Sequence, residues 1–96
     1  VTTPFGFHDM SLVTDASAAL VITTKERAKS ISKKPVLIKG SGHGGDYFTL
    51  SMKQTSTSFP ATIKAAQEAF KMASAKREEI DVLECHDCFT ITEIIN

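Results

Sequence analysis

Ile80-Asp81-Val82-Leu83-Glu84-Cys85-His86-Asp87-Cys88-Phe89-Thr90-Ile91-Thr92-Glu93-Ile94-Ile95 is the stretch whose reading decides the fold. Residues 80–85 have the length and apolar content of a strand. Thr90 can cap a helix over residues 91–96. At their junction, residues 85–88 carry one imidazole, one carboxylate and two thiols. A strand-to-helix junction is where α/β proteins place reactive groups, because a rigid strand end aims the side chains.

Working outward, Pro60 suits the first turn of a helix, where a missing N–H costs nothing. Ile63, Ala66, Phe70 and Ala73 then recur at helical spacing through Ala75, and the alanines allow close packing. Residues 53–58 are polar and read as loop, and residues 47–52 as a short extended piece. Gly40, Gly42, Gly44 and Gly45 read as a turn-rich loop after a short strand at residues 36–38. Before that strand the spacing predicts a helix over residues 25–32, with Thr23 and Glu26 at capping-box spacing and Pro35 closing it. Residues 18–22 form a continuous apolar run, the pattern of a strand covered on both faces. Strands alternating with helices predict an α/β layered fold. A strand covered on both faces needs more layers than a chain this short builds, and the apolar helical pattern runs to the last residues. Both features lead us to expect a segment of a larger fold.

The composition narrows the function classes. With 11 Lys plus Arg against 11 Asp plus Glu the formal charge is zero, so no net field draws the chain to nucleic acid or an anionic membrane. The densest basic group, Lys25, Arg27, Lys29, Lys33 and Lys34, is interrupted by Glu26 and reads as a solvated helix face. No apolar run reaches the length of a membrane span, and no secretory leader is visible. Two cysteines are too few for a disulfide scaffold and suit a reducing compartment, cytoplasmic or another intracellular one.

From pattern alone the reactive block has three readings. Cys85 and Cys88 have the spacing of a redox pair, although such a pair usually opens a helix and Cys85 ends a strand candidate. A zinc site lacks a second paired-ligand cluster, since His8 and His43 stand alone, and no metal is expected. In the third reading both thiols are small packed hydrophobes and His86 is a hydrogen-bonded turn residue.

The ordered motifs resemble a known family. His86-Asp87-Cys88-Phe89 followed by Thr90-Ile91-Thr92-Glu93-Ile94 resembles the HDCF motif of sterol-carrier-protein-type thiolases and their bacterial and archaeal relatives. Thr3-Pro4-Phe5 through Asp9 is similar to the family's TPF…D lead-in. Val13-Thr14-Asp15-Ala16-Ser17-Ala18-Ala19-Leu20-Val21 is similar to its V-S/T-D-G-A-A-A-L-V strand, with Ala16 where the family has Gly. Glu79-Ile80-Asp81-Val82 with Glu84 resembles the approach to HDCF. The likeness spans nearly the whole chain.

The resemblance implies a segment of the five-layered thiolase fold, with residues 1–34 ending the N-terminal half and residues 35–96 starting the C-terminal half. It implies acyl-CoA C-acyltransfer: making or cleaving 3-ketoacyl-CoA through a cysteine thioester. The substrates would be coenzyme A thioesters, with no covalently bound cofactor. His86 takes the position where other thiolases hold an oxyanion-hole water through Asn, and an imidazole N–H can donate that bond itself. Cys88 takes the position of an acid/base on the α-carbon, a role that requires a thiol pKa near the working pH. Asp87 and Phe89 shape the turn, Cys85 packs, and His43 is an exposed loop residue. The family's Cys-x-Ser nucleophile motif and Gly-His-Pro motif do not occur in the 96 residues. The isolated chain is therefore expected to be inactive. Its expected partners are the remainder of a thiolase chain or a complementary subunit, in a homodimer. The alternative is a non-catalytic scaffold or binding subunit.

Overall fold

Three helices and three single-turn 3-10 segments make up the regular structure of residues 3–96, the residues described in this computed structural model. The longest, α2 (Pro60–Ala73), begins with Pro60 in its first turn, as the sequence predicts. Ser74 closes it in the left-handed region at φ 50°, ψ 38°, and the Ala75 N–H reaches back to the Phe70 carbonyl at 3.2 Å. Glycine is the usual residue there, so Ser74 carries a small steric cost that these bonds offset.

α2 presents Ala61, Ala65, Ala69 and Ala73 at four-residue spacing, one above the other on a single face. Residues 40–44 run antiparallel along that face. A methyl group added to Gly40 would collide with the Ala69 carbonyl oxygen, one on Gly42 with that of Ala65, and one on Gly44 with that of Ala61. At Gly40 and Gly42 the same methyl would also lie 2.9 Å from the N atoms of Ala73 and Ala69. The match is geometric. Two residues of extended chain rise about 6.6 Å, and four residues of helix rise about 6 Å. The residues between the glycines touch the flank of α2: Ser41 Oγ lies 4.0 Å from Met72 Sδ, and the His43 N–H donates to Glu68 Oε2 at 3.3 Å. The expected glycine loop is thus corrected. None of these glycines has a positive φ; they allow close approach to the helix, and the chain through them alternates with period two.

α1 (Lys25–Ile31) is capped by Thr24, whose hydroxyl accepts from the Arg27 N–H at 3.4 Å. The cap sits one residue later than the Thr23–Glu26 spacing suggests, because Thr24 is the last residue with extended dihedrals (φ −67°, ψ 155°). The short extended piece expected at residues 47–52 is instead a 3-10 turn at Leu50–Met52. Between it and α2, Lys53 bonds Asp46 at 3.2 Å and lies 5.7 Å from the centre of the Phe59 ring. That pair of contacts ties the loop to the start of α2.

The alternation of strands and helices is not borne out. Among the described residues the candidates at 18–22, 36–38 and 80–85 form no ladder. The β pairing present is an isolated antiparallel bridge between Met10 and Phe89. A strand exists by pairing, and the first two candidates border one open hollow beside α1 without exchanging backbone hydrogen bonds. No packed layers result either: no described residue is fully buried. The radius of gyration is 17.4 Å, against about 12–13 Å for a compact domain of this length.

Candidate functional site

The reactive block lies where the two ends of the chain meet. A 3-10 turn at Phe7–Asp9 leads into Met10, which bridges Phe89. The Ser11 N–H donates to the Cys88 carbonyl at 3.0 Å. The Thr90 hydroxyl donates to Asp9 Oδ1 at 3.1 Å and lies 3.4 Å from the Asp9 backbone carbonyl. The other carboxylate oxygen, Oδ2, accepts the Gly6 N–H at 2.6 Å. The Asp9 carboxylate therefore shapes its own turn with one oxygen and holds the far segment with the other.

Thr90 is not the helix cap that the sequence suggests. It is the first residue of α3 (Thr90–Ile95), and the capping position falls to Phe89, which has no side-chain donor or acceptor. The Thr90 hydroxyl is committed to Asp9 instead. The Thr92 N–H bonds the Phe89 carbonyl at 2.8 Å, which starts the helix directly after the turn.

This framework sets the predicted residues differently. Cys88 is half-buried, and its Sγ lies 3.8 Å from the Thr92 hydroxyl, one helical turn on. His86 and Asp87 are exposed, and their side chains make no hydrogen bond among the described residues. The imidazole of His86 is thus open to a ligand two residues from a thiol whose backbone is pinned. Phe89 holds the bridge to Met10; Asp87 makes no comparable contact among the described residues. Cys85 is exposed where packing was expected, as are its neighbours over residues 81–84. His43 is exposed, as expected. Both cysteines are free thiols. Among the described residues no three His, Cys, Asp or Glu side chains are grouped to hold a metal.

Asp9, Thr90 and Thr92 bond at this block in ways that sequence reasoning did not assign to them. The Asp9–Thr90 pair is 81 positions apart, and no local pattern announces it. Asp9 closes the TPF…D segment, which is the one signal that could have drawn attention to it.

The block 86–89 thus lies between an unpaired stretch and a short helix, and the Asp9 carboxylate is bonded to the first residue of that helix. The chain belongs to the thiolase family: residues 42–96 match the family described as "Thiolase C-terminal domain-like". It is 34% identical over 95 residues to an acetyl-CoA acetyltransferase of Methanothermobacter thermautotrophicus, covering 99% of this chain and 25% of that protein. An acetyl-CoA acetyltransferase of Methanocaldococcus jannaschii is 35% identical over 97 residues, again 99% of this chain and 25% of the relative. The sterol carrier protein 2 of Gallus gallus is 46% identical over 37 residues, 38% of this chain and 7% of that protein. The chain thus spans about a quarter of the length of the acetyltransferases it matches.

Proposed function

We propose that this chain supplies one active-site loop of a thiolase-type acyl-CoA C-acyltransferase, with His86 as oxyanion donor and Cys88 as acid/base. The observation that carries the reading is the pinned turn. Cys88 is fixed through its carbonyl and sheltered beside a hydroxyl, while His86, on the same turn, keeps its imidazole open. Likeness to acetyl-CoA acetyltransferases along 99% of the chain supports it.

In the condensing direction the Cys88 thiolate removes a proton from the α-carbon of an acyl-CoA. The resulting enolate oxygen accepts a hydrogen bond from the His86 N–H. The enolate carbon attacks an acyl group held as a thioester on a second cysteine. The C–C bond forms, the C–S bond breaks, and 3-ketoacyl-CoA leaves with the nucleophile regenerated as thiolate. That nucleophile and the family's Gly-His-Pro histidine come from outside these 96 residues. The halves meet near residue 34 in this reading, with residues 1–34 in the first (its first two residues lie outside the described ones) and residues 35–96 in the second. The match of residues 42–96 to a C-terminal family supports that division.

The exposed apolar stretches are covered by the remainder of the thiolase chain or a complementary subunit, in a homodimer. Free thiols suit a reducing compartment, cytoplasmic or another intracellular one. No helix among the described residues is long and apolar enough to cross a membrane.

Exchange of deuterium into the α-position of acetyl-CoA tests the reading in a thiolase-length protein carrying this chain. Cys88→Ser is expected to slow exchange about 10²–10⁴-fold, and His86→Ala about 10²–10³-fold. Unchanged exchange in both variants would overturn the catalytic reading in favour of a scaffold or binding subunit. The isolated chain should show no thiolysis of 3-ketoacyl-CoA.

A further inference from the structure

We infer that Asp9 and Thr90 are positioning residues: their hydrogen bond sets where the His86–Cys88 turn presents its reactive groups. This rests on the roles proposed above for His86 and Cys88. Three links join the two ends of the chain within three consecutive residues on each side. They are the Thr90 hydroxyl on Asp9 Oδ1 at 3.1 Å, the Met10–Phe89 bridge, and the Ser11 N–H on the Cys88 carbonyl at 3.0 Å. The side-chain link is part-buried, and its acceptor is a carboxylate, which makes a hydrogen bond stronger than a neutral one. The same carboxylate fixes its own turn through the Gly6 N–H at 2.6 Å. Asp9 cannot drift without losing one bond or the other. Thr90 follows Cys88 by two residues and precedes Thr92, whose hydroxyl faces the Cys88 sulfur at 3.8 Å. A shift of Thr90 therefore moves both the thiol and its hydroxyl neighbour. Among the described residues neither Asp9 nor Thr90 hydrogen-bonds the side chain of His86 or Cys88, so each would act through the turn.

The test uses the thiolase-length protein, with Thr90→Val removing the hydroxyl at nearly constant shape and Thr90→Ser keeping it. Thr90→Val should lower kcat for α-proton exchange about 10- to 100-fold, the scale of a misplaced catalytic group, with KM within about twofold. Thr90→Ser should restore kcat, and Asp9→Ala should reproduce the Thr90→Val loss. Amide hydrogen exchange at Ser11 gives a second readout that needs no turnover: it should quicken in Thr90→Val and Asp9→Ala and stay slow in Thr90→Ser. Equal kcat in Thr90→Val and wild type, or equal Ser11 exchange in the two, overturns the inference. If Cys88→Ser and His86→Ala both leave exchange intact, the catalytic reading fails instead, and the Ser11 amide still decides whether the tie exists.

Discussion

Two apolar regions of this chain behave in opposite ways. The seam between residues 40–44 and α2 is closed so tightly that no Cβ fits at three of its positions. The stretches 20–22 and 36–38, richer in large side chains, lie open, with Val21 92% and Val36 95% exposed. Hydrophobicity alone would rank them the other way, since Leu, Val and Ile bury more area than Gly and Ala. The difference lies in where the covering surface comes from. The seam joins segments about 25 positions apart, so each supplies the other's cover. The open stretches have no paired neighbour among the described residues. Exposed apolar surface of that kind marks a face made for contact.

The largest effect is expected where the contrast is sharpest. Gly42→Val in a thiolase-length protein would drive a branched side chain into the Ala65 carbonyl, and neither backbone can retreat without dragging α2. We expect a loss of about 3 kcal/mol, the upper range for overpacking, read as a lowered urea midpoint with an unchanged slope. A midpoint equal to wild type would show that the seam is looser than its geometry.

Leu20→Ala probes the other region. Leu20 is 89% exposed, so in the isolated chain its truncation should leave the helical signal unchanged, with an effect of about 0.5 kcal/mol or less. In the thiolase-length protein the same change should cost about 2–5 kcal/mol, because a covering surface turns the missing methyls into a cavity. Equal, small effects in both would mean that the stretch stays open, and the contrast between the regions would no longer point to an outside cover.

The same contrast explains what was legible in the sequence. α2 could be read from Pro60 and the spacing of Ile63, Ala66, Phe70 and Ala73, because a helix satisfies its own backbone. Residues 18–22, 36–38 and 80–85 have strand composition but no ladder, because pairing is decided by partners that composition does not name. Gly40, Gly42 and Gly44 look like turn residues in any local reading. Their spacing of two opposite alanines spaced by four becomes informative only once the segments are known to face each other. At the site, the block 86–89 was conspicuous for its chemistry. Asp9 was not, because an aspartate at the end of a turn has many local uses and its partner is distant. Thr90 was noticed for the wrong bond: a threonine before a helical pattern fits a cap, and its hydroxyl went to Asp9 instead.

The smallest effect concerns the loop that leads from the seam into α2. The Tyr47 N–H bonds the Asp46 carboxylate at 2.7 Å, and Lys53 bonds it at 3.2 Å; together they hold its pKa below the ordinary 3.8. A carboxyl whose folded pKa is depressed stabilises the folded state above its unfolded pKa, and that contribution disappears as pH falls through the folded value. Acidification from about pH 4 downward should therefore loosen residues 46–59. Lys53→Met removes the ammonium from Asp46 and from the Phe59 ring. It should move the loosening to higher pH, toward the ordinary carboxylate range, because one of the two bonds favouring the charged form is gone. The Tyr47 amide bond remains, so the shift should be partial. Amide exchange across residues 46–59 as a function of pH reads it directly. If the profile of Lys53→Met overlays that of the parent, the Tyr47 bond alone sets the carboxylate, and the Lys53 contact adds nothing to the entry into α2.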